Sequence, residues 1–239
     1  MKKLFLKSET INLKQTYSIP KGGNAMNEII ERTIRREMEY DGTVILTYRI
    51  QYPEIISSNY EYGKQAFNQY NQRKALELKE YSETQLYQEA IETYEYNKKN
   101  GYPIMVYEVV LEYTITYNQE YIVSLYSDEY IFTGGAHGST IRKSQNWDLQ
   151  AVRQIPLMSF FPNNPYYIID ILKEINKQIQ YQEENGLNQY FENYCQLVLE
   201  NFKLENYYIT PNYITIFFQQ YDIAPYSSGI PIFKIPIRQ

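Results

Sequence analysis

The only histidine of the sequence, His137, is the residue best suited to acid–base chemistry, and it lies in the glycine-rich segment TGGAHG. A general base needs an acid partner and a nucleophile within hydrogen-bond reach. The nearest candidates along the sequence are Asp128, Glu129 and Asp148 as acids and Ser139 and Ser144 as nucleophiles. Their spacing matches no known triad signature. We therefore favour a structural interpretation of the chemistry, in which Gly134, Gly135 and Gly138 set the backbone geometry and His137 locks the turn by hydrogen bonding. As a binding surface, the predicted residues of this segment are Gly134, Gly135, His137 and Gly138.

A second candidate segment is YDIAPYSSG, residues 221–229, which contains several turn-forming residues and two tyrosines. Such a loop can recognise a partner. The alternative is an element that closes the fold, with Tyr226 packed inward and Asp222 capping a turn. Both interpretations stay open, and the predicted binding residues of this segment are Tyr221, Asp222, Pro225, Tyr226 and Gly229. The segment lacks the GxSxG pattern of a nucleophile elbow.

The sequence predicts no metal and no cofactor. A zinc site needs three or four ligands, and one histidine with one cysteine does not supply them. The aspartates are scattered rather than clustered near glycine, which is unlike a calcium loop. We expect Cys195 to be a buried helical residue without a disulfide partner.

Composition narrows the classes of partner. The chain has 239 residues and a net charge of -5, and its lysines and arginines are spread singly, so nucleic acid is not an expected partner. No apolar run approaches the roughly 18 residues of a spanning helix. The apolar start of the chain is interrupted by Lys7, so no leader is recognised. We expect a cytoplasmic protein by default, or an extracytoplasmic one if a leader was omitted.

Alternating apolar residues predict several strands. Residues 105–117 and 121–132 read as an antiparallel hairpin, and residues 44–52 read as a further strand opened by the Asp41-Gly42 turn. A second hairpin is expected around Pro211, and the closing IPIFKIPI segment reads as an edge strand.

Helical periodicity appears in three places. Asn24 is expected to cap a helix with Met26, Ile30, Ile34 and Met38 on one face. Residues 60–100 predict a long helix, with a possible break into two, that ends at Gly101. Residues 165–202 predict a helical region that splits at Asn185-Gly186. Together these elements predict an α+β fold, with antiparallel sheets and a long helix and further helices packed on one face.

Three blocks carry a resemblance to known families: residues 115–140, the segment NWDLQAVRQIPLMSFF, and residues 207–230. In this order they resemble the domain-of-unknown-function families 3298 and 4163. This pair of regions is shared by RsiV-type anti-sigma factors and PdaC-type peptidoglycan deacetylases, without their membrane or catalytic parts. The resemblance implies a 4163-like domain at 44–140 and a 3298-like domain at 141–239, preceded by a strand–helix extension at 1–43.

The resemblance and the lack of a catalytic set together predict a non-enzymatic binding module. The expected ligand is a lysozyme-like protein or a cell-wall glycan, bound through the sheet face and the loops near His137 and Tyr226. The alternatives are a hydrolase centred on His137 and a structural cytoplasmic or spore protein without a small ligand. The sequence leaves the oligomeric state open.

Overall fold

Two β-sheets and four α-helices make up residues 26–237, the part of the chain that the computed structural model describes. The first sheet contains β1 (Glu28–Tyr40), β2 (Thr43–Ser57), β3 (Tyr107–Gln119), β4 (Ile122–Phe132), β5 (Ser139–Asp148) and β6 (Arg153–Gln154), in that spatial order. The second contains β7 (Tyr207–Thr210), β8 (Tyr213–Phe217) and β9 (Ile232–Pro236). The helices are α1 (Glu61–Tyr81), α2 (Tyr87–Asn100), α3 (Tyr167–Glu184) and α4 (Tyr194–Asn201). The predicted α+β class is confirmed.

All neighbouring strands are antiparallel except β2 and β3, which run parallel. A parallel pair requires a crossover connection, and α1 and α2 supply it. The predicted hairpins β3–β4 and β7–β8 are confirmed, and β9 lies at the edge of the second sheet as expected.

The helix predicted from Met26 to Met38 is wrong, because this segment forms β1. Ile34 pairs with Ile50 and Met38 with Leu46 on β2. A spacing of four residues is compatible with one face of a helix and, being even, with one face of a strand. Pairing with β2 decided between the two. The predicted cap, Asn24, and the rest of residues 1–25 lie outside the described residues.

The long helix is confirmed, and a π-helical segment, Ser82–Leu86, joins α1 to α2 without interrupting it. Its predicted apolar face is buried: Ala75, Leu78, Leu86, Ala90 and Tyr94. Most of this face packs on β2 and β3. Gly101 ends the helix in a left-handed conformation, as predicted.

The N-terminal turn of α1 lies directly on the backbone that follows β5. A Cβ atom added at Gly63 would be 2.0 Å from the carbonyl oxygen of Leu149. Only glycine permits this close approach of two backbones. This contact holds the start of α1 against the segment that follows β5.

The second sheet packs with α3 and α4. Ile171, Ile175 and Ile179 are fully buried on α3, and Val198 is fully buried on α4. The predicted split of this helical region at Asn185-Gly186 is confirmed. Cys195 was expected to be buried, which is wrong: it is exposed, and the buried residue of α4 is Val198.

The strand β5 was not predicted from the sequence. Its first half is polar and carries charges at Arg142 and Lys143, so it lacks an apolar alternation. It pairs with β4 along its whole length, so the first sheet includes residues on both sides of position 140. The proposed domain boundaries at 43/44 and 140/141 stay predictions.

Candidate functional site

Two loops that are distant in sequence meet at one end of the first sheet. We call residues 133–138 the glycine loop and residues 221–229 the tyrosine loop. The imidazole of His137 stacks on the ring of Tyr226 with centroids 4.0 Å apart and planes at 17°. The hydroxyl oxygen of Tyr221 lies 3.5 Å from Nε2 of His137. The structure therefore brings together both segments in which binding residues were predicted.

The glycine loop connects β4 to β5 and needs its glycines for two different reasons. Gly134 and Gly135 have φ values of 106° and 90°, which L side chains rarely adopt. Gly138 has no such dihedral, but a Cβ atom there would be 2.4 Å from the ring of Tyr130 and 2.7 Å from the carbonyl oxygen of Ile131. The loop backbone is thereby held against the end of β4, with His137 exposed above it.

The tyrosine loop is a sequence of tight turns. Pro225 is extended and precedes a single turn of 3-10 helix, Tyr226–Ser228, and Gly229 follows with φ 67° and ψ −138°. A carboxylate oxygen of Asp222 accepts a hydrogen bond of 2.8 Å from the backbone N–H of Gln219, so Asp222 closes a turn. Burial raises the pKa of this carboxyl, although the Gln219 N–H opposes the shift. Tyr226 is half-buried, and its ring contributes to the surface shared with His137.

Two glutamines fasten the tyrosine loop to β5. The side chain of Gln219 accepts a hydrogen bond of 2.9 Å from the N–H of Arg142 and donates one of 2.7 Å to its carbonyl oxygen. Gln220 accepts a bond of 3.1 Å from the N–H of Thr140. β6 pairs only with Trp147 and Asp148 at the C-terminal end of β5. The two glutamine side chains therefore cover the N-terminal part of the same edge, which no strand pairs. Sequence reasoning missed both residues, since a Gln-Gln pair after a strand carries no specific signal.

Below the loops lies a partly buried ion pair. Arg142 donates two hydrogen bonds to Asp128, of 2.8 and 2.6 Å, and its side chain is only 12% exposed. Its guanidinium lies 3.8 Å from the centre of the Tyr126 ring, which packs on Tyr208 of the second sheet. Burial lowers the pKa of Arg142, but the hydrogen bonds and the negative charge of Asp128, together with the nearby tyrosines, outweigh it and the pKa is raised. The pair is charged and links the two sheets beneath the loops.

His137 has none of the partners that a general base requires among the described residues. Its Nδ1 lies 3.0 Å from the carbonyl oxygen of Gly138, which indicates that this nitrogen carries the proton. The candidate acids are engaged elsewhere: Asp128 with Arg142, Glu129 with Lys143, and Asp148 with the N–H of Ala151. The hydroxyl of Ser144 donates to the carbonyl oxygen of Glu205. The arrangement presents an aromatic, hydrogen-bonding surface and not an assembled acid–base pair.

Within residues 26–237 there is no group of three or more His, Cys, Asp or Glu side chains that could hold a metal ion. No helix in the same range is long and apolar enough to cross a membrane.

Two family models match successive parts of the chain. Residues 39–140 match the sequence model of the family described as deacetylase PdaC. Residues 159–238 match the model of the family described as protein of unknown function DUF3298. The chain is thus similar to the PdaC family over its first region and to the DUF3298 family over its second, and the predicted resemblance is confirmed for both. Family 4163 stays a prediction.

Solved structures of the DUF3298 family share this fold. A member from Bacteroides fragilis has a TM-score of 0.64 and 20% sequence identity, and the match covers 88% of this chain and 90% of that one. A member from Pseudomonas aeruginosa has a TM-score of 0.57 and 18% identity, with 88% and 91% covered. At such identities the likeness shows the fold alone. No curated protein matches the chain significantly.

Proposed function

We propose that this chain is a non-enzymatic binding module whose ligand-binding surface is formed by the glycine loop and the tyrosine loop. The observation that carries the proposal is the aromatic surface formed by the exposed side chains of His137 and Tyr221 and the half-buried ring of Tyr226, with His137 and Tyr221 84 residues apart in sequence. Aromatic side chains with a polar tip dominate the binding energy of many interfaces and also stack on sugar rings. The ligand is a lysozyme-like protein or a cell-wall glycan.

The backbone of the surface supports the same proposal. The glycine loop is held by close packing at Gly138, and the tyrosine loop is held by Gln219 and Gln220. A surface that is ordered before binding loses less conformational entropy on association. The His137 ring is also fixed by its stacking on Tyr226, so the aromatic groups are presented in one arrangement.

The direct test is to measure binding of lysozymes and of soluble peptidoglycan fragments to the intact chain by calorimetry. Tyr221 is 54% exposed, and we expect Tyr221→Ala to weaken binding by about 30-fold, the effect of losing a central aromatic contact. Tyr181 is 61% exposed on α3 and serves as the matched control, so Tyr181→Ala should bind normally. Absence of binding to every ligand at high micromolar concentration, or equal binding by Tyr221→Ala, refutes the proposal.

The alternatives predict other outcomes. A hydrolase centred on His137 requires turnover of an ester or glycan substrate that His137→Ala abolishes without lowering the melting temperature. A structural cytoplasmic or spore protein binds none of these ligands and fractionates with the corresponding compartment. The absence of a hydrogen-bonded acid at His137 among the described residues favours binding over hydrolysis.

A further inference from the structure

A second concave site lies away from the loops, between α1 and the first sheet. It is a cleft with a volume of about 460 Å³, bordered by α1 on one side and by β2, β3, β4 and β5 on the other. Small-molecule sites in proteins commonly have volumes of about 300–1,000 Å³. The cleft is therefore large enough for a compact organic ligand.

Four tyrosines line this cleft: Tyr52, Tyr70, Tyr81 and Tyr113. All four are half-buried, and none of their hydroxyls makes a hydrogen bond to a described residue. Burial raises the pKa of Tyr81 and of Tyr113, so these phenols stay protonated donors at neutral pH. The hydroxyl of Ser127, beside Tyr113 in the strand pairing, is likewise not hydrogen-bonded to a described residue. The cleft thus offers aromatic faces together with unused hydroxyl groups.

The charges that line the cleft are paired with one another. Lys74 contacts Glu77 at 2.7 Å, and Lys143 contacts Glu129 at 3.0 Å. Two lysines and two glutamates sum to no net charge, so neither an anion nor a cation finds an uncompensated partner.

From these features we infer that the cleft binds an uncharged saccharide of one or two rings. The C–H faces of a sugar ring pack on aromatic side chains, and its hydroxyls exchange hydrogen bonds with groups such as the phenol of Tyr113 and the hydroxyl of Ser127. A neutral polyhydroxylated ring satisfies both features and makes no demand on the paired charges. This site is separate from the glycine and tyrosine loops, and it holds or fails independently of the function proposed for them.

The protein contains a reporter for this site. The sequence has one tryptophan, Trp147, which is 6% exposed and packs edge-on against Tyr70 with centroids 5.7 Å apart. Its indole N–H donates to Gln145 at 2.9 Å, and Gln145 donates to Asn71 at 2.9 Å. Gln145 and Asn71 both line the cleft. A ligand in the cleft therefore alters the surroundings of the only indole.

The experiment is a tryptophan fluorescence titration of the full chain with cellobiose, maltose and di-N-acetylchitobiose, repeated with choline and inorganic phosphate. We expect a saturable change with at least one neutral disaccharide, with a Kd of about 1 mM or below, and none with the two ions. Ligand-observed magnetic resonance checks the binding without relying on fluorescence. No saturation by any disaccharide, or binding of choline or phosphate instead, overturns the inference.

Variants locate the binding. Tyr113→Phe removes only a hydroxyl, and we expect saccharide binding to weaken about 2- to 10-fold, the effect of one neutral hydrogen bond. Ser127→Phe fills the cleft and should abolish binding, with circular dichroism to confirm that the variant folds. Tyr96→Phe is the matched control at a tyrosine that is 61% exposed outside the cleft, and it should bind normally.

Tyr221→Ala separates the two sites. We expect it to leave the saccharide titration unchanged while it weakens the binding proposed for the loops. If Tyr221→Ala reduces saccharide binding and Tyr113→Phe does not, the sugar occupies the loops and the cleft assignment is wrong.

Discussion

Replacing Gln219 by alanine tests how the tyrosine loop is held. The Gln219 side chain makes two hydrogen bonds to the backbone of Arg142, at 2.9 and 2.7 Å, on the edge of β5 that no strand covers at that point. Each neutral hydrogen bond contributes about 0.5–1.5 kcal/mol net to stability. Because water can reach part of the exposed edge, we expect Gln219→Ala to cost about 1–2 kcal/mol, in the lower half of the summed range.

This loss is measurable by urea denaturation, and it corresponds to a fall in melting temperature of about 2–8 °C for a chain of this size. Native-state hydrogen exchange gives a local readout, since the amide of Arg142 should lose protection. Binding through the tyrosine loop should weaken as well, because the loop is no longer held in one conformation before the ligand arrives.

Three comparisons sharpen the test. Gln220→Ala removes one hydrogen bond, to Thr140, and should cost about half as much. Gln219→Glu keeps the acceptor for the Arg142 N–H but places a carboxylate against the Arg142 carbonyl, so it should not restore stability. Gln150 is exposed and makes no hydrogen bond to a described residue, so Gln150→Ala should be neutral. Equal stabilities of Gln219→Ala and Gln150→Ala would show that the reasoning is wrong.

Two further predictions concern the long helix. A glycine-to-alanine change on an unobstructed helix stabilises by about 1 kcal/mol. At Gly63 the added Cβ would lie 2.0 Å from the carbonyl oxygen of Leu149, so we expect Gly63→Ala to lower the free energy of unfolding measured by urea denaturation. A higher free energy of unfolding would contradict the close approach. Hydrogen bonds from Tyr48, Arg36 and Lys79 lower the pKa of Glu83 from 4.5 to about 2, although burial opposes the shift. A depressed folded-state pKa gives stability that is present above pH 4.5 and is lost as the pH falls toward 2. We therefore expect the free energy of unfolding of Glu83→Gln to depend less on pH between 4.5 and 2 than that of the unchanged protein. The same pH dependence in both proteins would contradict the role of Glu83.

Much of the fold was predictable because its signals are local. The alternation in residues 105–117, the proline turn at Pro211 and the buried stripe of the long helix each depend on neighbours within a few residues. The segment 28–40 could not be assigned correctly in this way, since its apolar spacing of four suits a helix and a strand equally. The polar strand β5 has no local signal of its own.

In the candidate site, too, the local geometry was predictable and the contacts between distant residues were not. Glycines and turn residues indicated that the TGGAHG and YDIAPYSSG segments have specific backbone geometry, and the structure gives Gly135 and Gly229 the dihedrals that glycine alone adopts readily. Neither segment indicated that His137 stacks on Tyr226.

By itself the sequence determined the fold class, most elements and the two loops, because periodicity and turn chemistry act between residues that are close along the chain. Only the tertiary structure decided which distant residues meet. The pairing of β1 with β2, the glutamine side chains on the edge of β5 and the tyrosine-lined cleft under α1 all depend on contacts between residues far apart in sequence. Such contacts form only when the elements have packed together, and no pattern within one segment encodes them.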